Sequence, residues 1–266
     1  MLGPQPKFDK PPVVETVLSA QFARLPKFRT AHAGCFWKSS LGKEWATIEE
    51  GPRLDDLFER FGDERIWGQM GLRFSPFESQ RTQIINSDST RMIQIQDSRF
   101  IYNWKKGVDG IYPSYKTTRE EFGEYYGKFK AFLKASELGE VEENQWEVSY
   151  MNPLVKGELW NSPSDWQTIF PWLNRPHMLL EPDSFQSVWD LVIPENRGRL
   201  HAKLYYGRIS LKGPEALVLD MTARGPASNN PGLSVADGFE LGHDAIVCSF
   251  AAMTSKFAQE FWQRKA

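Results

Sequence analysis

From Val14 to Phe22 apolar and polar positions alternate along the chain. Val14, Thr16, Leu18, Ala20 and Phe22 fall on one side; Glu15, Ser19 and Gln21 fall on the other, with Val17 the apolar exception. Period-two alternation with β-branched residues predicts a strand that buries one face. Pro11 and Pro12 exclude a helix immediately before it. A second strand of this kind is predicted at Gln145 to Asn152, where Trp146, Val148 and Tyr150 share a face.

Between these strands the period changes twice. Ala33, Trp37 and Leu41 are spaced by four and predict a helix over 31–41 that Gly42 stops. Leu54, Leu57, Phe58 and Phe61 predict a second, short helix ended by Gly62. TQIIN, RMIQIQ and RFIYNWK, separated by short polar turns, predict an antiparallel meander. Phe100, Tyr102 and Trp104 share a face of its last strand, as a stacking platform for bases or as the floor under a helix. A helix then starts at Thr118 with Glu121 three residues on, a capping-box pattern. Phe122, Tyr125, Phe129, Phe132 and Leu133 form its apolar stripe.

The acidic run Glu137 to Glu143 reads as a link. Beyond it, Ser162-Pro163-Ser164-Asp165 starts a helix that turns Trp166, Ile169 and Phe170 inward. SFQSVWDLVI, RLHAKLYY, RISLK and ALVLDMTA follow as strands, and Gly225 to Ser234 as a loop. A last helix begins around Asp237 and Glu240, with the stripe Phe239, His243, Ile246, Phe250, Met253 and Phe257. The two halves thus repeat strand, helix, antiparallel strands, long helix, at an offset of about 130 residues. The expected fold is α+β: two pseudo-repeated antiparallel sheets backed by helices, saddle-like or fused as a duplicated unit. The halves, 1–139 and 140–266, should pack as one unit.

Composition adds one unusual feature. Hydrophobic content of 41% and 25% charged residues are ordinary for a soluble protein, but 14% of the chain is aromatic. Rings in that number either fill a core or leave some to line a groove. A net charge of −2 removes any global basic field, so nucleic acid is possible but not favoured. Cys35 and Cys248 both fall in predicted helices, which fits buried thiols in a reducing cytoplasm better than a bridge. The chain shows neither a signal-peptide core nor a membrane-length apolar run, so a cytoplasmic protein without membrane contact is expected.

Candidate chemistry is sparse. Phosphate-loop, dinucleotide-binding, zinc-protease and paired CxxC patterns are all missing, so no cofactor, no metal and no catalytic residue is assigned. His32 and Cys35 have a ligand-like spacing, but two ligands do not make a metal site. His243 is either a hydrogen-bonded core histidine or a base poised by burial. Arg199, His201 and Lys203 project from one side of a single strand, with Arg197, Arg208 and Lys212 near in sequence. That strip could engage phosphates or an acidic partner, or could simply keep a strand soluble. Glu137 to Glu147 is its possible complement, within one chain or across a homodimer. The candidate partner face is Arg199, His201, Lys203 and Arg208 together with Trp104.

PPVVETVLSAQF, FIYNW followed by Tyr112-Pro113, Tyr150 and Asn152 in mid-chain, and a final helix with His243, Phe250 and Trp262 carry a resemblance. The chain resembles, over nearly its whole length, a family of sporadically distributed prokaryotic proteins of no established activity. The resemblance implies cargo of mobile or defence-related loci. It also implies basic residues beside the mid-chain tyrosine and asparagine, where this chain has Ser149 and Pro153. The sequence therefore reads as a non-enzymatic binding or interaction protein, an accessory or sensor in a prokaryotic stress or defence system. Its partner is an unidentified protein or an anionic ligand. Nucleic-acid binding, and a hydrolase or transferase using His243, are the alternatives.

Overall fold

The computed structural model describes residues 5–62, 80–108, 110–173, 180–208, 213–228 and 233–265. In chain order the first half runs β1 (Glu15–Phe22), α1 (Thr30–Ser40), β2 (Trp45–Gly51), β3 (Arg81–Asn86), β4 (Arg91–Gln96), β5 (Arg99–Lys105) and α2 (Tyr115–Ala135). The second runs β6 (Glu143–Val155), α3 (Trp166–Ile169), β7 (Phe185–Ile193), β8 (Gly198–Arg208), β9 (Glu215–Pro226), α4 (Val235–Met253) and α5 (Lys256–Phe261).

Among the described residues all nine strands join one antiparallel sheet, ordered β2-β3-β4-β5-β1-β6-β9-β8-β7. The fold is α+β, with one sheet where the sequence led us to expect two. Both edges of β1 are hydrogen-bonded, to β5 on one side and to β6 on the other, so the halves merge in a continuous sheet. As expected, Thr16, Leu18, Ala20 and Phe22 of β1 are buried, with Val14 only partly so. Ser19 and Gln21 on the opposite side are buried too, which alternation alone does not foretell.

Register places Phe100, Tyr102 and Trp104 on the same face as Leu18 and Ala20, together with Trp146, Val148 and Tyr150. The helices cover this face. Rings meet across it: Phe129 of α2 stacks on Phe100 at 5.3 Å, and Phe122 meets Phe239 of α4 edge-on at 4.8 Å. The high aromatic content is thus largely core. Trp146 is fully buried where α4 comes closest to the sheet.

Several local expectations need correction. Residues 54–61 form no helix; they run extended across the other face of the sheet, because side chains of the sheet, not the turn below, hold their amides. α2 starts three residues earlier than Thr118, since Ser114 Oγ accepts from Thr117 N and is the cap. Tyr126, rather than Tyr125, joins its buried stripe. Ser234 caps α4, whose helix stops at Met253, and this leaves Phe257 exposed on α5. β2 carries no clear alternation and was not anticipated. Most of RISLK, including Lys212, lies outside the described residues. Cys35 is exposed and Cys248 partly so, not the buried pair expected, and both are free thiols. Among the described residues no helix is long and apolar enough to cross a membrane.

Candidate functional site

On the helix side of the sheet, residues 5–14, the approach to α2, the middle of β6 and the helices α4 and α5 line an open cavity of about 1050 Å³. Residues 5–14 are held in place by main-chain bonds to the segment after α5. Asp9 N donates to Gln263 O at 3.2 Å, Lys10 N to Trp262 O at 3.1 Å, and Lys265 N to Lys7 O at 2.8 Å.

The polar groups on the cavity wall form a chain. Tyr112 Oη donates to Tyr150 Oη at 3.4 Å, and Tyr150 Oη lies 2.8 Å from His243 Nδ1. With its oxygen receiving from Tyr112, the Tyr150 proton points to Nδ1, which places the imidazole proton on Nε2. Tyr115 lies flat on the other side of the imidazole, and its hydroxyl donates to Glu240 Oε1 at 3.2 Å. Burial pushes the His243 imidazole down to about 4, so it is neutral at physiological pH. Burial likewise pushes the Tyr112 hydroxyl up to about 12 and raises those of Tyr115 and Tyr150. Asn152, next along the inward face of β6, is buried and donates to Leu219 O at 3.1 Å.

The rest of the lining divides by chemistry. Val14, Ile246, Phe250 and Trp262 give apolar wall. Lys7, Lys10, Lys106, Lys116 and Lys265 are exposed at its margin, against two acids, Asp9 and Glu158. Asp9 pairs with Lys265 at 2.6 Å. A basic margin on a chain of net charge −2 is a local feature, not a reflection of composition.

The opposite face of the sheet is organised around residues 53–60. Leu54 N donates to Gln96 Oε1 at 3.0 Å while Gln96 Nε2 donates back to Leu54 O at 2.9 Å. Gln21 repeats this two-point grip on Leu57, at 2.9 and 3.0 Å. Arg99 Nη2 donates to Asp55 O at 3.1 Å and Arg199 Nη2 to Arg60 O at 2.9 Å. Between them the Glu59 carboxylate is met by Arg199, by His201 Nε2 at 2.7 Å and by Arg224 Nε at 2.9 Å. Burial alone would raise that carboxyl, but the His201 hydrogen bond and the Arg224 charge outweigh it and hold it at about 2.

No family model matches this chain, and no curated protein does.

The sequence groups five residues as one partner face, and the structure separates them. Arg199, His201 and Lys203 do share a side of β8. Arg199 is buried and bound to Glu59, and His201 bridges Glu59 and Asp190, at 2.7 Å from each. Lys203 is exposed, opposite Asp220 in register. Arg208 lies at the far end of the strand, paired with Glu215 at 3.4 Å. Trp104 is on the other face of the sheet, buried against Tyr112 in the core. Its row of rings is the floor beneath a helix. The acidic partner of Arg199 and His201 is Glu59; Glu147, of the cluster 137–147, pairs with Arg224 of β9 instead, at 3.0 Å. His32 Nδ1 accepts from Arg29 N at the start of α1, at 2.9 Å. Among the described residues no group of three metal-ligating side chains comes together.

Glu59, Arg224, Gln21 and Gln96 were missed as partners, as was Tyr115. Each lies in an ordinary local pattern and acquires its role through residues tens of positions away.

Proposed function

We propose that this chain is a binding protein, and that the Tyr150–His243 cavity receives an organic anion with an apolar or aromatic body. The observation that carries this is the pairing of five marginal lysines with a wall of rings in a space of about 1050 Å³. That volume is at the upper end for small-molecule sites, and a few convergent polar groups in an apolar cleft are their usual form. The hydroxyls and the imidazole hydrogen-bond one another and present a preorganised polar floor. The lysines attract and hold the acidic group at the mouth.

The resemblance drawn from the sequence supports the same location. Pro12, Val14, Tyr112, Tyr150, Asn152 and His243, which carry it, all line this cavity, as do Phe250 and Trp262. Membership in that prokaryotic family, and a role as accessory or sensor in a stress or defence system, belong to this proposal. So does the reading of 1–139 and 140–266 as a pseudo-repeat: strands follow outward from β1 as β5, β4, β3, β2 and from β6 as β9, β8, β7.

The nucleic-acid reading is weakened by charge matching. Arg199 and His201 are already met by Glu59 and Asp190, which leaves Lys203, of the three residues on that side of β8, exposed to phosphates.

Calorimetric titration with a panel of aromatic carboxylates and phosphates tests the proposal. Binders of the wild-type chain should lose about tenfold or more in affinity in a Lys106→Glu/Lys116→Glu variant, and should weaken with salt. Both lysines are exposed, so the variant should fold. Equal affinity in the two proteins would refute an anion at this margin.

A further inference from the structure

The helix-free face of the sheet carries a second site. We propose that it is a peptide-binding groove which residues 53–60 fill from within the chain, and that an extended acidic peptide of a partner protein takes the same seat.

The chemistry of the partner follows from what the groove reads. At Leu54 and Leu57 it grips the main chain, N–H and C=O together, through Gln96 and Gln21; Gln145 Oε1 accepts from Glu59 N at 3.4 Å. Such contacts require an extended backbone and tolerate many side chains. Three side chains are specified: Arg53, which donates to Asp97 Oδ1 at 3.1 Å and Ser98 Oγ at 2.8 Å, Asp56, which accepts from Ser98 Oγ, and the Glu59 carboxylate that enters the Arg199–His201–Arg224 pocket two residues beyond the second gripped position. Planar guanidinium groups suit a carboxylate because they match its geometry.

Three observations mark residues 53–60 as an exchangeable occupant. First, the Leu57 and Phe58 side chains are 40% and 54% exposed, so they add little apolar burial to the polar contacts that hold the segment. Second, the fit beneath it is incomplete: Ser19 Oγ, Arg99 Nε and Arg199 Nε are buried without a hydrogen-bond partner. Third, the segment is an excursion from a closed hairpin. β2 and β3 pair up to Gly51 opposite Arg81, so the sheet is complete without it. Covalent attachment gives the internal segment a millimolar-range effective concentration, which a partner in solution must overcome.

The test uses the full chain and a labelled synthetic peptide with the sequence of residues 51–62. In a Leu57→Pro/Glu59→Gln variant the internal segment loses the amide that Gln21 accepts from and the carboxylate of the pocket. Hydrogen exchange should show residues 53–60 less protected, while circular dichroism and melting confirm a folded protein. The peptide should bind this variant at least about tenfold tighter than it binds wild type. A peptide with glutamine at the position of Glu59 should bind at least about tenfold more weakly than the acidic one. Glu59→Gln alone should give the same ranking at smaller amplitude, and serves if the double variant fails to fold. Absence of peptide binding to a folded variant with a released segment overturns the proposal. So does equal binding of the acidic and glutamine peptides, or a segment that stays protected in the double variant. None of the five cavity lysines takes part, so this outcome is independent of the anion site.

Discussion

The Tyr115 ring lies parallel to the His243 imidazole, 3.9 Å between centroids and 4° apart. A phenol from the start of α2 thereby closes one side of a histidine on α4, while Tyr150 of β6 takes its Nδ1. Three elements distant in sequence fix one imidazole, which makes the group a stable floor for the cavity rather than a mobile side chain.

Removing the Tyr150 hydroxyl should show what that arrangement contributes. Tyr150→Phe leaves the enclosed Nδ1 of His243 without its partner and should cost about 1–3 kcal/mol in urea unfolding. Tyr112→Phe, at the end of a 3.4 Å contact, should cost well under half as much. Equal costs would mean that the chain from Tyr112 to His243 is not organised around Tyr150.

Stability should depend on pH in two separate windows. His243 has its folded value pushed from 6.5 to about 4, so the unfolded chain binds its proton more readily. The corresponding stability is present above pH 6.5 and is lost as pH falls towards 4, by about 3 kcal/mol. Glu59 has its folded value lowered from 4.5 to about 2, so its contribution is present above pH 4.5 and disappears towards pH 2. Denaturant melts across pH should show both, and His243→Phe should flatten only the upper one.

Gly238 should reverse an ordinary rule. Replacing glycine by alanine inside a helix normally stabilises by up to about 1 kcal/mol. Here a Cβ would come within 2.3 Å of Trp146, with the indole ring held from other sides by Gly225 and Gly242. Gly238→Ala should therefore destabilise by about 1–3 kcal/mol through overpacking, measured by guanidinium unfolding.

The two sheet edges differ in protection. β2 carries Glu49 and Glu50, whereas β7 exposes Val188, Trp189, Leu191 and Val192. An apolar edge strand invites pairing with other chains, and charges on it discourage that. Val188→Lys/Val192→Lys should lower self-association at high concentration in static light scattering; no change would remove β7 as its source.

Much of this fold was legible where local pattern and tertiary role agree. The alternation of β1 and β6, the meander from Arg81 to Lys105 and the stripes of α2 and α4 all reflect burial against one sheet. The segment 54–61 misled because Leu54, Leu57, Phe58 and Phe61 have helical spacing while their main chain is held by Gln21 and Gln96. Nothing local records that competition. Arg199, His201 and Lys203 were placed on one side correctly, but Glu59, which binds two of them, is about 140 positions away in sequence. Trp104 was readable as core or platform, and only the register with β1 assigns it to the helix side. His243 and Tyr150 both stood out in the sequence, yet no spacing rule joins residues 93 apart.

The central claim is that the Tyr150–His243 cavity holds an organic anion, and a crystal structure with the tightest binder from the titration panel tests it most directly. The ligand should lie inside the cavity, its acidic group beside Lys106 and Lys116 and its apolar body against Tyr112 and Phe250. A ligand seated elsewhere on the molecule, or a panel in which nothing binds more tightly than about 1 mM, would contradict the account.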